Sequence, residues 1–94
     1  MEKVLWDRQN GQFSVHLEGN YSAIVRYTQS ENILHITSTR VPDELQGRGF
    51  GKIMMEAVLP LIEQEGYQVD PICSYVVHYL NRAPQWAHLV VEKG

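Results

Sequence analysis

Gln46-Gly47-Arg48-Gly49-Phe50-Gly51-Lys52 places three glycines on alternate positions, directly before the best amphipathic helix pattern of the chain. Glycine has no Cβ, so the backbone can come close to a ligand there. The first turn of a helix has unsatisfied N–H donors and the positive end of the helix dipole, and both favour a bound anion. The stretch therefore predicts a phosphate-binding turn in front of a helix, with Arg48 and Lys52 adding positive charge.

The segment after the glycines has the apolar spacing of a helix with one buried face. Gly66 provides a stop signal, and Pro60 predicts a bend within a single helix that ends near Glu65. Because Met54 and Met55 are adjacent, we expect only one of them to face the core. The apolar positions are Phe50, Ile53, Met54, Ala57, Val58, Leu61 and Ile62.

Four strands are predicted before the glycines. Residues 12–17 alternate between apolar and polar types, the period-two pattern of a half-buried strand. The dipeptide Asn10-Gly11 predicts a type I′ hairpin turn in front of this strand. Short polar turns join the strands into an antiparallel meander. The predicted strands cover residues 4–6, 12–17, 21–28 and 33–41.

Shorter elements follow the long helix. Residues 67–72 predict a fifth strand, which runs parallel to the fourth because a crossover helix separates the two. Residues 74–82 predict a short helix with Ser74 as its N-cap, and residues 86–91 predict a closing turn or short strand. The fold class is therefore α/β of the α+β type: a mixed, mainly antiparallel five-stranded sheet with one long helix and one or two short C-terminal helices.

Size and composition restrict the class of protein. The 94 residues predict one domain over residues 1–94, as a monomer or a small homo-oligomer. A net charge of -3 argues against nucleic-acid binding, which normally needs a basic face. The single cysteine, Cys73, suits a reducing compartment, and no apolar run reaches membrane-spanning length. We expect a cytoplasmic protein without a membrane partner.

Three glycine motifs bind phosphate groups, and they differ in spacing. The P-loop needs a glycine where this chain has Gln46, and Ser or Thr where it has Ile53. The dinucleotide fingerprint, counted from Gly47, needs a third glycine where this chain has Lys52. Residues 46–51 do match a third pattern, Q/R-x-x-G-x-G/A, between a long strand and a long helix.

This third pattern is the signature of the GNAT acetyltransferases, and the chain resembles the small single-domain N-acetyltransferases of that superfamily, the YjdJ-like or NATD1-like family. Two further blocks carry the resemblance over nearly the whole length. One is residues 41–45, which lead into the glycines. The other is residues 71–76 together with residues 81–86.

The resemblance implies acetyl-CoA (coenzyme A) as a co-substrate, with its pantetheine arm in a gap between the fourth and fifth strands. The pyrophosphate would bind to backbone N–H groups of the glycine turn, and the edge of the fourth strand would bind the pantetheine amides as an added strand does. The binding residues implied in this way are Thr39, Val41, Gln46, Gly47, Arg48, Gly49, Phe50, Gly51, Lys52, Asn81 and Arg82.

Residues of three types, cysteine, histidine and tyrosine, are candidates for the catalytic chemistry. Cys73 lies before a helix N-terminus, where a thiol pKa can be lowered, and the resemblance implies a cysteine near the thioester. His78 and His35 are candidate bases for removing a proton from the acceptor amine, and an ordered water is an alternative base. Tyr79, with Tyr75 as its neighbour one turn earlier, can donate a proton to the departing CoA thiolate.

The chain departs from the resembling family at the end of the fourth strand. Relatives often carry His-Thr-Glu-Val there, whereas this chain has Ser38-Thr39-Arg40-Val41. Arg40 then favours an acidic substrate or acts on a CoA phosphate. The predicted function is acetyl transfer from acetyl-CoA to an amine, and an amine on a protein or peptide is one candidate acceptor. The alternatives are a non-catalytic CoA-binding module and a domain that binds a phosphorylated partner. The cysteine and histidine spacings predict no metal site.

Overall fold

The structure is a computed structural model that describes residues 3–91. It contains one five-stranded sheet in which the strands follow one another in sequence order. The first four strands pair antiparallel, and β5 pairs parallel with β4, as the crossover predicted. The strands are β1 (Val4–Asp7), β2 (Gln12–His16), β3 (Ser22–Ser30), β4 (Ile33–Arg40) and β5 (Gln68–Pro71).

Two α-helices complete the fold, α1 (Phe50–Gln64) and α2 (Ser74–Asn81). Short 3₁₀ helices lie at Asp43–Leu45 and at Pro84–Leu89. The second 3₁₀ helix occupies most of the predicted closing segment, and only Val90 bridges to the sheet, at Val69. The predicted mixed sheet with one long helix and short C-terminal helices is therefore confirmed. None of the helices within residues 3–91 has the length and apolar character needed to cross a membrane.

The core lies between one face of the sheet and the two helices. Residues of β2 and β3 alternate between buried and solvent-facing positions, so that Phe13 and Val25 are fully buried. These side chains join the buried face of α1 and Val76 of α2 in one apolar cluster. Burying a large aliphatic or aromatic side chain contributes about 1.5–3 kcal/mol, so this cluster holds α1 against the sheet.

Both Met54 and Met55 are fully buried, and the prediction that only one faces the core is wrong. Adjacent helical residues are about 100° apart, and the buried arc of α1 is wide enough to include both. The fully buried residues of α1 are Met54, Met55, Val58, Leu59 and Ile62.

Two local predictions also need correction. Asn10 does not have the positive φ that a type I′ turn requires; the connection covers four residues, and Asp7 accepts hydrogen bonds from the backbone and side chain of Asn10. Ser74 is the first residue of α2, and Cys73 is the N-cap. Cys73 has an extended backbone conformation, which allows it to take the N-cap position without a capping hydroxyl.

A β-bulge interrupts the pairing of β3 with β4. Arg26 pairs with Ser38 and Tyr27 pairs with Ile36, which leaves Thr37 as an extra residue on β4. The Thr37 hydroxyl donates a hydrogen bond to the Arg26 carbonyl at 3.3 Å. An extra residue shifts the alternation of the strand. Beyond the bulge, Thr39 lies opposite the buried Val25 and therefore on the core side of the sheet.

The pairing of β4 with β5 covers only the first half of β4. The last pair is Ile36 with Pro71, and the backbone N–H groups of Ile72 and Cys73 then both donate to the Ile36 carbonyl. Residues 37–40 of β4 continue past this point without a β5 partner. The sheet is therefore open on the β5 side of the end of β4, directly before the glycine turn.

Candidate functional site

Two glycines of the turn have a backbone conformation that other residues rarely adopt. Gly47 has φ 80°, and Gly49, the N-cap of α1, has φ 79°. A Cβ at either position would meet no atom within 4 Å, so the requirement for glycine comes from the backbone and not from crowding.

Gly51 differs from these two glycines, because a side chain there would meet a neighbouring tyrosine. It is the second residue of α1 and lies against the ring of Tyr75 on α2. A Cβ on Gly51 would touch the Tyr75 hydroxyl and lie 2.8 Å from ring carbon Cζ. The missing side chain therefore lets α1 and α2 approach each other at the site.

A cavity of about 430 Å³ lies between the end of β4, the glycine turn and Tyr75 of α2. Most of the predicted binding residues line it, from Thr39 on β4 to Lys52 in α1. The full lining is Thr39, Val41, Leu45, Gln46, Gly47, Gly49, Phe50, Gly51, Lys52, Met54 and Tyr75. We call this space the turn cavity.

Gln46 and Arg48, both predicted to bind the ligand, have protein partners. The Gln46 side-chain amide donates to the Val41 carbonyl at 3.0 Å and to Asp43 at 3.2 Å, which fixes the loop between β4 and α1. Arg48 forms an exposed ion pair with Glu18 at 3.2 Å and lies outside the lining of the turn cavity. Their role in binding stays a prediction.

Cys73 lies beside the turn cavity, in contact with one of its lining residues. Its Sγ is 3.5 Å from the Thr39 hydroxyl, across the opening between β4 and β5. Burial raises the pKa of the Cys73 thiol, but hydrogen bonding from the Thr39 hydroxyl and from backbone groups of Val76, Tyr75 and Thr39 outweighs it. The net result is a lowered pKa, which increases the fraction of reactive thiolate.

The catalytic candidates His78 and Tyr79 line a second cavity of about 380 Å³ next to α2. His78, Tyr79 and Arg82 lie there, and Lys52 and Tyr75 line both cavities. Burial raises the pKa of Tyr75 and of Tyr79, and nearby Glu56 raises that of Tyr79 further. Both phenols therefore keep their proton at neutral pH.

Besides Arg48, two further predicted residues lie apart from these cavities. Asn81 is exposed and lines neither. His35 hydrogen-bonds through Nδ1 to Asp70 at 2.7 Å, and the two residues are a cross-strand pair of β4 and β5. Within residues 3–91, no three histidine, cysteine or carboxylate side chains group in a way that could hold a metal ion.

Three contributors to the site did not follow from the sequence. Leu45 and Met54 form apolar lining of the turn cavity, and the bulge at Thr37 positions Thr39. The apolar character of Leu45, two positions before Gly47, was a signal in the sequence that could have indicated this lining. The sequence held no comparable signal for the bulge, because no glycine or proline lies at Thr37 or beside it.

The fold and the site define a class of protein, and comparison with known sequences agrees. Residues 12–89 match the sequence model of the family described as GCN5-related N-acetyl-transferase. The chain belongs to this family.

Individual relatives lead to the same family. The chain is 33% identical over 84 residues to the mouse protein NATD1 and 31% identical to the human one, covering 87% of this chain in both comparisons and 76% and 74% of the relatives. The fold matches the NMR solution structure of a GCN5-like protein from Staphylococcus aureus with a TM-score of 0.72, at 22% identity, over 98% of this chain and 90% of the other. That structural match supports the fold alone.

Proposed function

We propose that this protein transfers an acetyl group from acetyl-CoA to an amine. The observation that carries the proposal is the position of the turn cavity. It joins a glycine turn at a helix start to the open edge of β4, so one elongated ligand with a phosphate end and an amide-containing arm can contact both.

The residues of the turn cavity have distinct roles in holding acetyl-CoA. Backbone N–H groups of residues 47–51 bind the pyrophosphate, and Lys52 adds charge. Residues 39–41 of β4 bind the pantetheine amides as a neighbouring strand would. The thioester then reaches the Thr39 and Cys73 end of the cavity, where the backbone N–H of Val41 stabilises the negative charge that forms on the carbonyl oxygen.

The reaction needs one proton removed and one supplied. The acceptor amine loses its proton to a base, attacks the thioester carbonyl carbon, and the C–S bond breaks. His78 is the base that we propose, since among the described residues it is the histidine that lines either cavity. One of the two tyrosines, Tyr75 or Tyr79, which keep their protons at neutral pH, supplies the proton to the CoA thiolate.

A thermal-shift screen with acetyl-CoA, CoA and inorganic pyrophosphate tests the binding step. A micromolar ligand present at millimolar concentration stabilises a fold by about 4 kcal/mol, so both CoA forms should raise the melting temperature on the order of 10 °C or more. Equal stabilisation by pyrophosphate alone would favour a phosphate-binding interaction domain. No change with either CoA form would exclude the proposed function.

A second function, CoA binding without catalysis, has one observation in its favour. Among the described residues, no histidine or carboxylate lines the turn cavity itself. The two functions differ in thiol release: a transferase liberates CoA when an amine is added, and a binding module does not. Intact-mass analysis of the same mixtures shows whether an acetyl group is held on Cys73 before transfer.

A further inference from the structure

Two arginines lie side by side on the face of the sheet that α1 does not cover. Arg26 on β3 and Arg40 on β4 are both exposed; Arg26 lies between two buried residues of its strand, and Arg40 follows the half-buried Thr39. Arg40 pairs with Ile24, and Arg26 pairs with Ser38. The two arginines are therefore diagonal neighbours, on the order of 7–8 Å apart.

Neither arginine has a carboxylate partner within residues 3–91. Arg8 and Arg48 pair with Glu65 and Glu18, but no acidic group in this part of the chain lies within ion-pair distance of Arg26 or Arg40. Acidic residues outnumber basic ones in the sequence, 11 to 8. Two like charges at diagonal positions of adjacent strands repel each other weakly, and an anion bound between them would reduce that repulsion.

The two arginines line a cavity of about 430 Å³ together with Ile24, Ser38 and Thr39. Thr39 lines the turn cavity as well, and its hydroxyl contacts Cys73. Thr39 therefore borders both the arginine cavity and the turn cavity, at the end of β4 where the thioester lies in the proposed function.

We propose that the arginine cavity is the acceptor subsite and that it selects amines with carboxylates next to them. This inference rests on the proposed function, in which an amine is the acceptor of the acetyl group. The guanidinium groups of Arg26 and Arg40 bind the carboxylates by charge-assisted hydrogen bonds. The amine is then held near Thr39, within reach of the acetyl group.

The test measures binding of two labelled peptides to the full chain by fluorescence anisotropy, with and without CoA. Both peptides have blocked termini and one central lysine; one has glutamate on each side of the lysine and the other has glutamine. We expect the glutamate peptide to bind about tenfold more tightly at low salt, from two exposed charge pairs. The difference should shrink in high salt, because such pairs are screened.

Arginine variants test whether the preference for the glutamate peptide comes from the arginine cavity. The preference for the glutamate peptide should fall at least threefold in the double variant Arg26→Gln/Arg40→Gln and disappear in Arg40→Glu. The control variant Arg8→Gln should keep the preference, because Arg8 lines none of the three cavities. Melting curves confirm that each variant is folded. Equal binding of the two peptides by the wild-type chain, or a preference unchanged in the double variant, would overturn the proposal.

Two further measurements identify the kind of acceptor and distinguish failure of the arginine subsite from failure of the proposed function. Free glutamate that displaces the labelled peptide at millimolar concentration identifies a small amino acid as the acceptor, and failure to displace it identifies an acidic peptide segment. With acetyl-CoA, the glutamate peptide should show a lower KM than the glutamine peptide. Acetylation of both peptides with equal KM contradicts the subsite alone, whereas selective binding without any acetylation contradicts the proposed function.

Discussion

At the scale of single residues, the contact between Cys73 and Thr39 joins the two halves of the opened sheet. Cys73 ends the segment after β5 and caps α2, and Thr39 lies on the unpaired part of β4. The 3.5 Å contact between the thiol and the hydroxyl favours the charged form of the sulfur. Cys73 is the single cysteine of the chain, so its chemistry can be measured without interference.

Thr39→Val should raise the pKa of Cys73. The hydroxyl stabilises the thiolate and so lowers the pKa; without it the backbone hydrogen bonds alone oppose the effect of burial, and the pKa moves upward. Alkylation by iodoacetamide followed across pH should then show its midpoint at higher pH in the variant. Thr28→Val, an exposed strand position, is the control. An unchanged midpoint in Thr39→Val would show that the contact does not tune the thiol.

Gly49→Val should abolish acetyl-CoA binding while the fold survives. Valine at φ 79° costs about 1–3 kcal/mol of strain, and relief of that strain distorts the turn. Gly66→Val is a matched control, because Gly66 has φ 82° and equally open surroundings at the far end of α1. Calorimetric titration should show lost affinity in Gly49→Val only. Equal affinity in both variants would remove the glycine turn from the site.

At the scale of elements, α1 and α2 meet at the site through Gly51 and Tyr75. Alanine is better than glycine in a helix by about 1 kcal/mol, so an ordinary helical position would gain stability from the exchange. Here the added Cβ collides with the tyrosine ring. The ring must move, and it is part of the lining of both cavities.

Gly51→Ala should therefore be energetically coupled to Tyr75→Ala. In a double-mutant cycle of unfolding free energies from urea denaturation, we expect a coupling of about 0.5–3 kcal/mol, because alanine at position 51 is tolerated once the ring is removed. Gly51→Ala alone should also weaken acetyl-CoA binding. Additive unfolding free energies would mean that the two helices do not meet in this way.

Elements with strong local patterns could be predicted from the sequence, and their contacts could not. Period-two alternation located β2, and the 3.6-residue spacing located α1 with its start at Phe50. The burial of both Met54 and Met55 depends on how widely the rest of the fold covers α1. Thr39 and Cys73 are 34 residues apart, and only the bulge at Thr37 and the early end of β5 bring them together.

At the scale of the whole molecule, the end of β4 separates two cavities of different character. On the α1 side lies the turn cavity, with glycines and apolar side chains. On the opposite face lies the arginine cavity, whose lining residues within the described part of the chain belong to β3 and β4. In the proposed reaction, a donor in the turn cavity and an acceptor in the arginine cavity would approach each other at Thr39.

An NMR titration of the ¹⁵N-labelled chain with CoA tests the central claim most directly, because it reports every backbone amide at once. We predict that the largest chemical-shift changes fall on residues 39–41, on residues 47–52 and on Tyr75, with little change in the hairpin of β1 and β2. The account would be contradicted if CoA binding saturates while the amides of the glycine turn and of the end of β4 do not shift. It would also be contradicted if no amide shifts at millimolar CoA.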